Sequence, residues 1–288
     1  MDLSRAVKKT IAYSNYFQFP LSPKEIHRWL ISSQIIPFKD IKKHTRLLSS
    51  EDKKRRIVMT QIAKEKEMHA ITFVNIAKHI PGIKLIALTG SVSVYNCQDE
   101  DDIDLFIITS PHTLWLVRPV VIALLSLKFA RRHPRDHQSK TKNAFCPNLW
   151  LDTTALSLFR PRRNLYTAHE ILQSRALFDK DNTHTLFIKS NQWVKHYLAN
   201  AYSQYEFAET THPQENKNHF VHILNTVLFI LQHLYMFPKK TTEQVSLHYA
   251  FFHKNNPSSR LDKALETIRQ NTPTKEKIPT SSKKRYNI

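Results

Sequence analysis

Apolar residues recur at helical spacing at the start of the chain. Leu3, Val7 and Ile11 lie four residues apart, as on one face of a helix. The segment "FPLSPKEIHRWL" predicts a second helix, because Ser22 is a good N-cap and Glu25 completes a capping box three residues later. These patterns predict a small helical module at the N-terminus.

A third, basic helix is predicted in "FKDIKKHTRLL", where Lys39, Lys42, Lys43 and Arg46 take polar positions. Three short helices of which the third is basic resemble a helix-turn-helix or winged-helix unit, which implies weak nucleic-acid binding. The alternative is a helical cap that packs on the next domain and does not contact DNA. The pattern leaves both interpretations open.

The next hundred residues alternate between helices and buried strands. One long helix is predicted over 55–80, and Pro81 and Gly82 end it. Short, β-branched runs bounded by turn signals predict strands in "IKLIALTG", "IDLFIIT" and "AFCPNLWLDTTALSL", and "TLWLVRPVVIALLSLKFA" predicts a helix after the second of them. In the third strand, the period of two places Asn148, Trp150 and Asp152 on one face.

From about residue 161 the pattern is helical, and the end of the chain is basic and polar. The whole therefore predicts an α+β fold in which a small mixed sheet with helices is flanked by helical parts. The predicted division is 1–54 for the helical module, 55–160 for the core, 161–272 for a C-terminal helical domain and 273–288 for a basic, disordered tail.

Composition narrows the classes of function. The formal net charge is +19, which favours a polyanionic partner such as nucleic acid, a nucleotide or an acidic membrane surface, although solubility alone is an alternative. Two cysteines are too few for a disulfide framework, so a reducing, cytoplasmic location is expected. No apolar run reaches the ~18 residues of a membrane span. The two longest apolar segments are therefore expected to be buried helices.

The stretch "IALTGSVSVYNCQDEDDIDLFIIT" departs from the rest of the chain. It holds Gly90, one of only 2 glycines, and five of its six residues 99–104 are acidic. Alternation along the second strand places Asp102 and Asp104 on one face, where two carboxylates suit Mg²⁺. A glycine at 90 lets backbone approach a phosphate, and Ser91 adds a hydroxyl and an N–H donor.

This pattern resembles the nucleotidyltransferase superfamily that includes DNA polymerase β, poly(A) polymerases and small antibiotic-modifying enzymes. The similar part spans 83–152: Gly90-Ser91, ten residues, then Asp102-Ile103-Asp104 between apolar residues. Thr89 departs slightly from the apolar residue expected before the glycine. Flanking segments such as "FCPNLWLD" and "NQWVKHYLANA" also resemble a bacterial group of nucleotidyltransferase-domain proteins.

The resemblance implies transfer of a nucleotidyl group from a nucleoside triphosphate to an acceptor, with release of pyrophosphate. Asp102 and Asp104 would hold Mg²⁺, and Gly90 and Ser91 would hold the β- and γ-phosphates. The acceptor stays open among a small molecule, a protein and a nucleic acid. The alternative is a nucleotide-sensing or DNA-binding regulator, or an antitoxin-like protein, that uses the same fold without turnover.

The family also implies a third carboxylate on a later strand. Asp152 is the first candidate, although it is equally placed to cap the turn in "LDTTAL", and Asp136 in the basic loop is a weaker rival. The run from Arg131 to Lys142 is expected either to steer triphosphate or nucleic acid or to be a solvated loop. The 16 histidines form no HExxH motif, and two cysteines alone do not suggest a zinc site.

Overall fold

The computed structural model of the chain describes residues 2–132, 142–207, 218–239 and 243–252, together with residues 258, 260, 261, 263 and 265. The α-helices are α1 (Leu3–Tyr16), α2 (Pro23–Arg28), α3 (Phe38–Lys42), α4 (Ser50–Ala77), α5 (Gly90–Ser93), α6 (Leu114–Lys128), α7 (Leu165–Gln173), α8 (Thr183–Ser190), α9 (Ala199–Tyr202) and α10 (His219–Met236). The strands are β1 (Ile83–Leu88), β2 (Ile103–Thr109), β3 (Phe145–Asp152), β4 (Arg175–Asp179), β5 (Gln244–Val245) and β6 (Tyr249–Phe251).

The strands form one six-stranded sheet in the order β4-β1-β2-β3-β6-β5. The β2–β3 pair is parallel, and the other pairs are antiparallel. This pairing brings the end of β1 and the starts of β2 and β3 to one edge of the sheet. Residues that follow β1 or begin β2 and β3 therefore meet there.

Helices cover both faces of the sheet, which explains why β1 and β2 read as nearly continuous apolar runs. Phe106 and Ile108 pack with α7 and α8 on one face. Leu105 and Ile107 pack with α4 and α6 on the other. A helix-flanked mixed sheet confirms the α+β prediction at this level.

The predicted division at residue 161 is wrong as a structural boundary. β4 pairs with β1, and β6 pairs with β3, so the segment predicted to be a separate helical domain completes the sheet. These strands are only two to five residues long. Strands this short carry too few residues for a period of two to stand out in the sequence.

The N-terminal helices pack on the rest of the protein as a cap. The Ser22–Glu25 capping box is present at the start of α2, as predicted. α3 has only five residues, ends at Lys42 and leaves Arg46 outside the helix. The Asn200 side chain bonds to the backbone of His27 and Ile36, which ties the cap to α9. These contacts favour the cap interpretation over a recognition helix in a groove.

The α10 helix is not buried as the sequence predicts. Asn225 is its only fully buried residue, and its Oδ1 accepts a hydrogen bond from the Trp115 backbone N–H at 2.9 Å. Large apolar side chains such as Phe220 and Leu234 remain exposed. Within the described ranges, no helix is long and apolar enough to cross a membrane.

Three of the sequence predictions lie outside the described residues. These are Asp136, most of the run from Arg131 to Lys142, and the basic tail 273–288.

A buried lysine fixes the acidic loop before β2. Lys66 of α4 is 1% exposed, and its ammonium donates to the backbone carbonyls of Asp99 and Asp101 at 2.8 Å each and to Asn143 Oδ1 at 3.0 Å. Burial lowers the pKa of Lys66, while the nearby acidic side chains oppose that shift. The interior cation thus determines where the carboxylates that follow it in the chain are placed.

Replacing this lysine tests its role. Lys66→Met keeps the apolar stem but removes all three hydrogen bonds, so two partly buried backbone carbonyls and the Asn143 amide oxygen lose their donor. We expect the free energy of unfolding to fall by about 2–4 kcal/mol, measured by urea denaturation. Lys64→Met, on the exposed side of the same helix, is the control and should change it by less than about 0.5 kcal/mol. Equal effects would contradict the role.

Candidate functional site

Gly90 brings a carboxylate against the backbone after β1. Its φ is +63°, in the left-handed region that disfavours side chains. A Cβ built at this position would lie closer than 3.0 Å to Asp104 Oδ2, so any other residue would push the carboxylate away. The scarce glycine is therefore required by the close approach of Asp104, a reason additional to the phosphate contact that the sequence suggests.

Asp102 and Asp104 lie together, as their spacing predicts. With Cys146 they form a cluster in which one potential ligand atom from each lies within 4.8 Å of the others. Cys146 joins them because the parallel register pairs it with Asp104. Arg132 donates to Asp102 Oδ2 at 2.5 Å, and the Asn148 amide donates to Asp104 Oδ1. The site thus holds two carboxylates, one thiol and one amide.

The pKa values of Asp104 and Cys146 are both raised by their surroundings. Burial, then the negative charges of Asp102 and Glu170, raises the pKa of Asp104 well above its ordinary value. Burial likewise raises the pKa of the Cys146 thiol, which therefore stays protonated and is a poor ligand for a hard cation. A divalent cation would relieve the repulsion between the two carboxylates in place of the proton on Asp104.

Two buried oxygens beside the carboxylates have no hydrogen-bond partner within the part of the chain that the structure describes. They are Thr89 Oγ1, just before Gly90, and Asn148 Oδ1, beside Asp104. Unsatisfied buried oxygens of this kind are rare, and they are consistent with a site built for a ligand. Ser91, by contrast, donates its hydroxyl to Asp101 Oδ2 at 3.1 Å, so in this structure it supports the acidic loop.

Asp152 does not join the other two carboxylates. Asp152 pairs with Thr109 at the far end of β2, whereas Asp104 pairs with Cys146. Cys146 and Asp152 are six residues apart along β3, a distance of about 20 Å in an extended strand. A shared metal with Asp102 and Asp104 is excluded at that distance. Asp152 instead accepts the Thr154 backbone N–H at 2.9 Å and caps a 3₁₀ turn, which is the alternative that the sequence left open.

The prediction that Asn148, Trp150 and Asp152 share one face of β3 is wrong for Asn148. The β2–β3 register shifts between Leu105 and Phe106, so Asn148 is the extra residue of a bulge and has no partner across the pair. It reaches Asp104, whereas Trp150 packs in the core on the opposite face. Pro147 was the signal in the sequence, because proline inside a strand commonly marks a bulge.

A cavity of about 520 Å³ opens beside Gly90 and Ser91. It lies between the N-terminal cap and α7, and aromatic rings form much of its wall. Those rings belong to Tyr13, Phe17, Phe19, Trp29, Tyr95, Tyr166 and Tyr205. The cap therefore forms part of the wall of the cavity beside Gly90.

Charged residues of the same cavity were missed by the sequence analysis. Glu170 accepts a hydrogen bond from the Tyr166 hydroxyl at 2.8 Å and is close enough to Asp104 to raise its pKa. Arg175 forms an ion pair with Glu67 and lies 4.4 Å from the centre of the Tyr95 ring. Glu170 and Arg175 follow β3 by many residues and match no motif, so no spacing could have placed them beside Gly90.

A double-mutant cycle tests the contact between Gly90 and Asp104. Gly90→Ala combines a left-handed φ, which costs about 1–2 kcal/mol, with a clash against the carboxylate, and we expect a loss of about 3 kcal/mol or more. In an Asp104→Ala background only the backbone cost remains. Urea denaturation of the four proteins measures the coupling.

Gly82→Ala is the control for this cycle. Gly82 also has a positive φ, +92°, but a Cβ there would meet Val117 and Thr113. Its cost should therefore be the same with or without Asp104. If the cost of Gly90→Ala is equally independent of Asp104, the proposed reason for the glycine is wrong.

Asp104→Asn should change how stability depends on pH. Because the folded-state pKa is raised, the folded protein keeps a proton that the unfolded chain releases above about pH 4, so wild-type stability falls as the pH rises from there. Asp104→Asn has no ionisable group at this position, so its stability does not fall with pH for this reason. In metal-free buffer its Tm advantage over wild type should be small near pH 4 and larger at neutral pH.

Asp99→Asn is the matched control, because the pKa of Asp99 is lowered whereas that of Asp104 is raised. Its hydrogen bond and ion pair with Lys142 lower the pKa of Asp99, so its contribution is present at neutral pH and is lost in acid. Asp99→Asn should therefore not raise the Tm at neutral pH. A Tm difference for Asp104→Asn that does not vary with pH would contradict a raised pKa at this residue.

Comparison with known proteins does not assign the chain to a family. No protein-family model, no curated protein and no solved structure matches the chain. The features of the site that bear on its chemistry are the two carboxylates, the glycine that lies against one of them and the aromatic cavity beside them.

Proposed function

We propose that the chain is a Mg²⁺-dependent nucleotidyltransferase. It would transfer a nucleotidyl group from a nucleoside triphosphate to an acceptor hydroxyl and release pyrophosphate. The observation that carries the proposal is the meeting of Gly90 with Asp104 and Asp102 at one edge of the sheet, next to a cavity lined by aromatic rings.

The donor set fits a magnesium ion. Asp102 and Asp104 offer carboxylate oxygens, the ligands that Mg²⁺ prefers, and beside them lies Asn148 Oδ1, which has no hydrogen-bond partner among the described residues. Burial, and then the negative charges of Asp102 and Glu170, raises the pKa of Asp104, so a bound cation would take the place of its proton. When bound, the ion would neutralise charge on the phosphates of the nucleotide.

The cavity fits the rest of a nucleotide. Its volume lies within the range of small-molecule sites, and faces such as those of Tyr95 and Tyr166 suit stacking on a base. The backbone at Gly90 and the guanidinium of Arg175 line the same space and suit phosphate oxygens.

Proton transfer would fall to a residue of the cavity wall. In the proposed reaction the acceptor oxygen bonds to the α-phosphorus, the bond to the pyrophosphate oxygen breaks, and the acceptor proton must leave. Asp152 is too distant for this role. Glu170 lines the cavity and interacts electrostatically with Asp104, so we propose it as the proton acceptor.

One observation favours the second candidate, a nucleotide sensor without turnover. At the start of β3, beside Asp104, the chain has Cys146 and Asn148, neither of which is a carboxylate. Two carboxylates would suffice to bind a magnesium–nucleotide complex even if catalysis required a third. The test must therefore separate binding from transfer.

The test uses two labels. Protein with Mg²⁺ and cell extract is incubated with triphosphates labelled at the α- or the γ-phosphate. Nucleotidyl transfer places the α-label on the acceptor and the γ-label in pyrophosphate. We expect Asp102→Asn and Asp104→Asn each to lower transfer by about 10²–10³-fold or more, because charge at the phosphates is no longer neutralised.

Asp99→Asn, in the same acidic run, should retain transfer, and Glu170→Gln should reduce it without weakening nucleotide binding. Binding is followed separately by the Tm shift that triphosphate and Mg²⁺ cause. A Tm shift without α-label transfer would favour the sensor. The absence of both responses, or wild-type transfer in either site variant, would overturn the nucleotidyltransferase proposal.

A further inference from the structure

A second cluster of metal-ligating side chains lies at the opposite end of β2 and β3. His112, Asp152 and His248 each offer one ligand atom within 4.8 Å of the others. They come from three separate segments: the turn between β2 and α6, the end of β3, and the turn between β5 and β6. The fold alone brings them together, because 40 and 96 residues separate Asp152 from the two histidines.

Asp152 is the centre of this cluster and is completely buried. Its Oδ1 accepts the Thr154 N–H, which fixes the carboxylate. Its Oδ2 faces the histidines: it accepts the His112 backbone N–H at 3.1 Å and lies 2.8 Å from His248 Nδ1. The carboxylate oxygen is thus fixed within hydrogen-bond distance of one imidazole nitrogen and close to the second histidine.

Solvent reaches the cluster from the histidine side. The His248 side chain is 33% exposed, and the exposed His222, at the start of α10, packs its ring against His112 with 4.5 Å between centroids. An ion could therefore enter without opening the core. Asp152 lies about 20 Å along β3 from the level of Asp104, so this cluster is separate from the carboxylate site.

We propose that His112, Asp152 and His248 bind a transition-metal ion of the Zn²⁺ class. Two imidazoles and one carboxylate are ligands typical of zinc, whereas Mg²⁺ prefers oxygen alone. The three ligand atoms lie within 4.8 Å of one another, and the Asp152–His248 pair, 2.8 Å apart, would exchange its hydrogen bond for bonds of about 2.0–2.2 Å to the ion. Three protein ligands leave a further coordination position for water.

The bound ion would join the three segments that now meet through hydrogen bonds to Asp152. Binding to the folded state alone raises stability in proportion to the logarithm of the free metal concentration. The proposal therefore predicts zinc-dependent stabilisation. It does not depend on nucleotide binding, and it holds or fails independently of the nucleotidyltransferase proposal.

The experiment measures zinc binding to the full chain, prepared without a polyhistidine tag and freed of metal by chelation. We expect calorimetry with ZnCl₂ to show one tight site per chain and the Tm to rise with zinc. Co²⁺ in place of zinc should give the visible absorption of a tetrahedral nitrogen–oxygen site. Neither response should require nucleotide or intact Asp102 and Asp104.

Two variants remove ligands while leaving the buried carboxylate of Asp152 itself in place. His248→Ala removes a partly exposed imidazole, and His112→Asn keeps a residue that tolerates the positive φ of 56° at this position. Each should lower zinc affinity at least 10-fold and abolish the Tm rise, while both proteins remain folded by circular dichroism. His69→Ala, which removes an exposed imidazole on α4, should bind zinc as wild type does.

The absence of a stoichiometric site in the wild-type protein would overturn the proposal. So would zinc binding that His248→Ala and His112→Asn leave unchanged, since the ion would then be held by other histidines. An equal loss of affinity in His69→Ala would count against it for the same reason.

Discussion

The geometry of the candidate site depends on the contact between the Asp104 carboxylate and the backbone of Gly90. No side chain fits between them, and the left-handed φ of Gly90 directs the chain from β1 into α5 at the same point. Asp104 is thereby held beside Asp102, and burial together with the negative charge of Asp102 raises the pKa of Asp104. A larger residue at 90 would disturb the turn and the carboxylate together.

The acidic run is held in place by Lys66, Arg132 and Lys142, and Lys142 pairs with the Asp99 carboxylate. Lys66 is buried and binds backbone carbonyls of the run, so it determines the path of the loop. Arg132 is more exposed and binds the Asp102 carboxylate itself. In a chain of net charge +19, the acidic run is thus a local concentration of negative charge.

The two clusters of potential metal ligands lie at opposite ends of the β2–β3 pair. At one end it presents carboxylates and an amide beside an aromatic cavity, and at the other end it presents a buried carboxylate between histidines. The separation follows from strand length, because six residues of extended chain span about 20 Å. The N-terminal cap contributes Tyr13 and Trp29 to the cavity wall at the first end.

The sequence by itself determined the elements and contacts that depend on neighbours along the chain. The capping box at Ser22, the strands β1 and β2, and the proximity of Asp102 and Asp104 all follow from local periodicity and short spacing. The tertiary structure alone decided what depends on distant segments. It assigned β4 and β6 to the sheet, turned Asn148 towards Asp104 through a bulge, and moved Asp152 away to His112 and His248. The physical reason is that periodicity records which face of an element is buried, whereas strand order and register, which place residues at one end of a sheet or the other, are set by the packing of the whole chain.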